Sequence, residues 1–243
     1  MSLSYQTDER DASVAEASEA VSIPLPVYTI ALIIAIACVA AVQFAVGLER
    51  SIEIAGFDKP AFTENREYWR ILTGATLHGG ILHVVMNCYA FYSFGRIFEL
   101  LANRAHLANV FLLSAIGGGV LSLVFAPDGR SVGASGGIVG IIGYLAVYAF
   151  RRKQFISNEF RKSLLMNIGF LLIFGLVLYQ VIDNYGHIGG LVTGAAYGIV
   201  QIPGDPHSDP RIAGQTVTLA GLISLAIYIG GCAFSILLIL GYI

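Results

Sequence analysis

The sequence predicts an all-α fold, a polytopic membrane helical bundle of seven spans, and three observations carry that prediction. Charged residues make up 12% of the chain and hydrophobic ones 56%, with a mean hydropathy of +0.74, whereas an ordinary soluble domain carries about 25% charge. Seven apolar stretches of 18 residues or more follow one another, separated by polar breaks. None of them alternates with the period of a barrel strand, and lipid offers no partner to a free backbone amide, so each stretch is expected to be helical.

Taken in order, residues 1–26 read as a disordered cytoplasmic tail: acidic, rich in Ala and Ser, and closed by Pro24 and Pro26, with too little apolar surface to fold. Residues 27–48 carry no charge and outrun the apolar core of a cleavable signal. Acidic rather than basic residues precede them, so they are expected to persist as the first span. Residues 49–77 form a long mixed loop in which Asp58, Lys59, Glu64, Arg66, Glu67 and Arg70 alternate with Ile54, Phe57, Phe62, Tyr68 and Trp69. Such side chains suit the headgroup layer, and Trp69 with Arg70 reads as an interfacial anchor. Further spans fall at 79–101, 107–126, 132–150, 164–182, 186–203 and 216–242. The fourth and sixth, of 19 and 18 residues and rich in glycine, are expected inside the bundle.

Charge excludes some functions and orients the chain. A net charge of -2 and a pI near 6.2 leave no basic face for nucleic acid. Cys38, Cys88 and Cys232 all lie in apolar segments, too scattered for a disulfide framework, and are expected to pack as small hydrophobes. With the amino terminus cytoplasmic, the short inner connections hold Arg96, Arg104, Arg151, Arg152, Lys153, Arg161, Lys162 and Arg211, and the short outer ones hold only Arg130. That asymmetry favours an inside amino terminus. The second, fourth and sixth spans then enter from the outer side and bring His83, Ser135 and His187 to similar depths.

A hydroxyl and an imidazole at the mouths of apolar helices suggest a nucleophile and a base. Ser135 sits in Gly133-Ala134-Ser135-Gly136 and His187 in Gly186-His187-Ile188-Gly189-Gly190. His187, Gly190, Gly194 and Gly198 share one helix face, and Gly136, Gly140 and Gly143 form a comparable stripe after Ser135. Packing these stripes together would set Ser135 beside His187, although such stripes also serve simply as packing motifs. His83 and Asn87, at i and i+4, share a face of the second span. Buried there they need partners, and they suit either an oxyanion, with the free Ser135 amide as a third donor, or helix–helix bonding. A metal site on His78, His83 and His187 is disfavoured, because no Cys, Asp or Glu stands at ligand spacing beside them. Neither a metal nor a cofactor is called for.

These motifs, in this order and on these spans, together with Trp69-Arg70, make residues 69–198 resemble the rhomboid intramembrane serine proteases. The resemblance implies a six-helix catalytic core over 27–203, with 204–243 as a loop and an appended seventh helix. It implies Ser135 as nucleophile, His187 as general base and His83 with Asn87 at the oxyanion hole, supported by Gly133, Gly136 and Gly190. The activity implied is endopeptidase cleavage in or near the transmembrane segments of membrane proteins, with the site opening to the extracytoplasmic side of the bilayer. A prokaryotic plasma membrane is expected, since no Arg-rich transit leader precedes the first span.

Several details refine that expectation. A Ser–His dyad needs no carboxylate, so Asp183 is assigned to the outer loop. His78 is expected to order the turn at Gly79-Gly80 by hydrogen bonding a loop carbonyl. Many rhomboids carry an aromatic residue four positions after the serine, where this chain has Val139, so that support for the histidine ring is expected to be missing. A non-proteolytic rhomboid-like scaffold typically lacks the serine or the histidine, and this chain retains both. A transporter would show inverted repeats or charges in mid-span, and neither is visible.

Overall fold

The computed structural model describes residues 24–205 and 207–243, so most of the tail expected over 1–26 lies outside the described residues. The described chain is an all-α bundle. Its long helices are α1 (Val27–Val46), α5 (Ile81–Leu101), α6 (Arg104–Phe125), α7 (Ser135–Arg151), α8 (Asn158–Val177), α9 (Asn184–Gln201) and α10 (Gln215–Leu240), one for each predicted apolar stretch. By length and composition four of them, α1, α6, α8 and α10, are able to cross a membrane, which makes the chain a multi-pass membrane protein. α5 carries Arg96 and Glu99, α7 has only 17 residues, and α9 is thinned by glycine.

Burial sorts the helices. α6 and α7 form the centre: over half of the most apolar window of α6 is buried, against 11% of that of α8, which lies at the edge of the bundle. Phe111 stacks on Phe91 and meets Tyr228 edge-on, with ring centroids 4.6 and 4.8 Å apart, linking α5, α6 and α10. Phe98 packs on Tyr144 at 4.4 Å, tying α5 to α7. Of the cysteines, Cys232 is buried as expected and Cys88 half-buried, but Cys38 is exposed on the outer face of α1. An apolar thiol costs nothing there if lipid is the solvent.

The segment expected as one long loop over 49–77 is instead built up locally. It contains α2 (Leu48–Ala55), β1 (Phe57–Asp58), α3 (Lys59–Glu64) and α4 (Arg70–Thr73). Asp58 caps α3 by accepting the Ala61 amide at 3.0 Å, with Pro60 in the first turn, a start signal written in the sequence. β1 pairs antiparallel with β2 (Arg130–Ser131), setting Phe57 opposite Ser131 and Asp58 opposite Arg130. An Arg130–Asp58 ion pair at 2.7 Å closes the join.

Arg70 is not the interfacial anchor that the sequence suggests. It is buried, and Nη1 donates to the Gly56 and Glu53 carbonyls at 2.9 and 3.2 Å, Nε pairs with Glu67, and the guanidinium lies 4.7 Å from the Trp69 ring centroid. Trp69 itself packs edge-on against Phe234 of α10 at 5.7 Å. The carbonyls left free at the end of α2 need donors, and a guanidinium supplies several in a fixed fork.

Candidate active site

Ser135 is the first residue of α7 and His187 the fourth of α9. Their side chains meet: His187 Nε2 stands 2.8 Å from Ser135 Oγ. What permits this is the approach of the two helix backbones. A β-carbon at Gly190 would stand 2.1 Å from the Gly136 carbonyl oxygen, one at Gly194 2.0 Å from that of Gly140, and one at Gly143 2.5 Å from that of Leu191. The glycine stripes are thus in contact along most of their length, with Gly136 and Gly190 at the level of the Ser–His pair.

α6 is a third wall that the sequence reading did not foresee. Gly117 and Gly118 of α6 approach α9 as closely, a β-carbon at Gly118 falling 2.4 Å from the Gly186 oxygen and one at Gly189 2.6 Å from the Gly117 oxygen. The signal was the triplet Gly117-Gly118-Gly119 in the middle of an apolar run.

Asp183 is the N-cap of α9. Its carboxylate accepts the Gly186 amide at 2.8 Å and the hydroxyls of Ser122 and Ser131 at 2.5 and 2.6 Å, and its backbone oxygen accepts the His187 amide. It therefore binds α6, β2 and α9 together and makes no hydrogen bond to the imidazole. His187 Nδ1 is buried, with no hydrogen-bond partner among the described residues. Val139 is buried in α7.

On the other side of Ser135 stands His83. A β-carbon on Gly133 would fall 3.0 Å from His83 Cε1, 3.1 Å from Nε2 and 3.6 Å from Ser135 Oγ, so a side chain there would crowd the ring beside the hydroxyl. The Gly133 φ of +134° favours glycine for a second reason. His83 Nδ1 accepts the Gly79 amide at 3.2 Å. A neutral imidazole with an accepting Nδ1 carries its proton on Nε2, the nitrogen nearest Gly133. Asn87 is buried one turn deeper, its Nδ2 donating back to the His83 carbonyl at 3.0 Å.

His78 departs from expectation. Its ring nitrogens are buried and find no hydrogen-bond partner among the described residues, and the ring packs edge-on against His83 at 5.1 Å. The turn is ordered by the His78 backbone instead. Its amide donates to Gln43 Oε1 at 3.0 Å and its oxygen accepts from Gln43 Nε2 at 3.2 Å. Gln43, the one carboxamide in an uncharged first span, was a visible signal that the sequence reading passed over.

Beside Ser135 and His187 lies a cavity of about 50 Å³, walled by Ala75, Ala115, Gly118 and Val132. A water needs about 10–15 Å³ of such space. The arrangement thus combines a hydroxyl, a base in contact with it, a ring N–H on the opposite side, the unpaired amides of a helix start, and room for water.

A family model described as "Rhomboid domain" matches residues 65–204. The chain is 36% identical over 128 residues to the rhomboid protease GluP of Bacillus subtilis, covering 53% of this chain and 25% of that one. It is 30% identical over 154 residues to the mitochondrial RHOMBOID-like protein 6 of Arabidopsis thaliana, covering 61% and 48%. A third relative, 32% identical over 139 residues and covering 56% and 16%, is the inactive rhomboid protein 1 of Rattus norvegicus. The chain thus spans half or less of the length of these relatives.

Proposed function

Because this chain belongs to the rhomboid family, we propose that it is an intramembrane serine endopeptidase that hydrolyses peptide bonds in or near the transmembrane segments of other membrane proteins. The observation that carries this reading is the 2.8 Å contact between Ser135 Oγ and His187 Nε2. Neutral His187, with its proton on Nδ1, accepts the hydroxyl proton as Oγ bonds to the substrate carbonyl carbon. The carbonyl oxygen becomes an oxyanion facing the His83 Nε2–H, the Ser135 amide and, once its side chain turns from the His83 carbonyl, Asn87. Collapse breaks the C–N bond and the amine leaves with the proton from His187. A water then adds to the acyl-enzyme, gives its proton to His187, and releases the second product with Ser135 restored.

The same reading covers the architecture: seven spans, a six-helix catalytic core over 27–203 and an appended helix after residue 204. The amino terminus is cytoplasmic and the site opens on the extracytoplasmic side, as the distribution of Arg and Lys supports. Substrates are transmembrane proteins whose helices unwind easily, because a peptide bond inside a paired helix is closed to attack.

The test is labelling of the purified protein with a fluorophosphonate, together with cleavage of a single-span reporter in liposomes. Labelling at Ser135 that His187→Ala abolishes is the expected result. A folded protein that neither labels nor cuts supports instead a non-proteolytic role, the alternative that a relative named as inactive brings forward.

A further inference from the structure

Residues 74–80, between α4 and α5, touch the site at both ends. The Gly74 carbonyl accepts the Gly133 amide at 2.9 Å and so holds the glycine between His83 and Ser135, while the Gly79 amide at the other end fixes the His83 tautomer. Gly74 and Ala75 also wall the cavity beside Ser135. The position of this short segment therefore sets the oxyanion side of the site.

Two helices outside the matched residues 65–204 hold it there. From α1, the buried Gln43 carboxamide pairs with both backbone groups of His78. From α10, the Tyr228 hydroxyl donates to the Ala75 carbonyl at 2.9 Å, and the Ser235 hydroxyl lies 2.9 Å from that of Thr76. All of these side chains are buried, Tyr228 and Gln43 completely. A single tyrosine hydroxyl reaching across to a loop carbonyl has no helix-packing function to serve there: Tyr228 already packs by its ring against Phe111, and phenylalanine would pack as well.

We propose that Gln43 of α1 and Tyr228 of α10 are positioning residues of the active site, fixing residues 74–80 so that the donors opposite Ser135 are preorganised for the oxyanion. The proposal rests on the protease reading above. Small displacements of such donors are costly to the chemical step, since misplacement by about 1 Å costs on the order of 10²-fold in rate, and they leave substrate binding nearly untouched.

The experiment compares Tyr228→Phe and Gln43→Leu with Ser224→Ala in the full-length protein in liposomes. Ser224 donates to Asn109 Oδ1 from the same helix α10 at 2.8 Å but makes no bond to residues 74–80, so it controls for the loss of a buried hydrogen bond. Tyr228→Phe and Gln43→Leu should lower kcat about 5- to 100-fold with KM changed less than about twofold, while Ser224→Ala retains the wild-type kcat. Equal kcat values for Tyr228→Phe and wild type, or equal losses in Tyr228→Phe and Ser224→Ala, overturn the proposal. If Gln43→Leu does not fold, Tyr228→Phe, which keeps the ring, decides the matter alone. A wild-type protein that does not label at Ser135 overturns the protease reading itself, a result distinct from either of these.

Discussion

Gly194 lies so close to the backbone of α7 that a β-carbon placed on it would stand 2.0 Å from the carbonyl oxygen of Gly140. The stripe that begins at His187 is therefore a contact surface whose spacing sets the distance between the Ser135 hydroxyl and the imidazole.

Gly194→Ala should push α9 off α7, at a cost of roughly 1–3 kcal/mol of stability from overpacking, and should abolish fluorophosphonate labelling. Gly198→Ala meets side-chain atoms of Ile202, Tyr144 and Val147 at 3.3 Å rather than a carbonyl oxygen at 2.0 Å, so it asks for a much smaller shift of the helices and should keep most of its labelling. Labelling rates and melting temperatures of the two variants check the contrast; similar losses in both would mean that the stripe acts as a whole.

Asn87→Ala should slow cleavage without silencing it. Loss of one oxyanion donor costs on the order of 10²–10³ in kcat where the donor is preorganised. Asn87 is bonded to its own helix at rest, so part of that gain is already spent on turning the side chain, and a fall of about 10- to 100-fold is expected. Single-turnover cleavage of the reporter measures it.

Asp183→Ala should destabilise the protein more than Ser122→Ala or Ser131→Ala. It removes a helix cap, worth about 0.5–2 kcal/mol, and strips both serine hydroxyls of their acceptor at once. Asp183→Asn keeps an acceptor oxygen for Gly186 and should recover much of the loss. Thermal unfolding of the four variants in one detergent gives the order.

The join between β1 and β2 should weaken in acid. The Ala61 amide, and after it the Arg130 guanidinium, hold the Asp58 carboxyl below its ordinary value of 3.8. Its contribution is therefore present above about pH 4 and is lost as pH falls through the lower folded value. Between pH 6 and pH 3 the melting temperature of the wild type should fall further than that of Asp58→Asn, whose amide has no charge to lose. Equal slopes would remove Asp58 from the account.

Arg70→Lys should loosen the loop around the protein's single tryptophan. A lysine cannot serve the Gly56 and Glu53 carbonyls and Glu67 together while lying over the Trp69 ring, as Arg70 does. The Trp69 emission should shift to the red as its edge contact with Phe234 is lost, with little change in overall helicity by circular dichroism.

Much of the bundle was legible in advance because lipid simplifies the code. An apolar run of fixed minimum length must be a helix, and all seven predicted runs became one. The glycine stripes of α7 and α9 were legible as well, since a 3.6-residue period projects directly onto a face. What escaped the sequence was how the polar residues pair. Arg70 looked interfacial and is a buried staple; His78 looked like a ring donor and acts through its backbone; and residues 49–77, expected as a loop, hold three short helices and a strand. Pairings of this kind join residues far apart in the chain, and no local period encodes them.

The sequence by itself therefore determined the solvent, the helices and the two residues of the Ser–His pair, because each of these follows from composition or from spacing along one element. The tertiary structure alone decided that the pair closes to 2.8 Å, that Asp183 braces the site without joining it, and that Gln43 and Tyr228 reach the same short segment from helices at opposite ends of the chain. The reason is physical: a hydrogen bond depends on tenths of an ångström between groups brought together by packing, and that distance exists only once the whole bundle has formed.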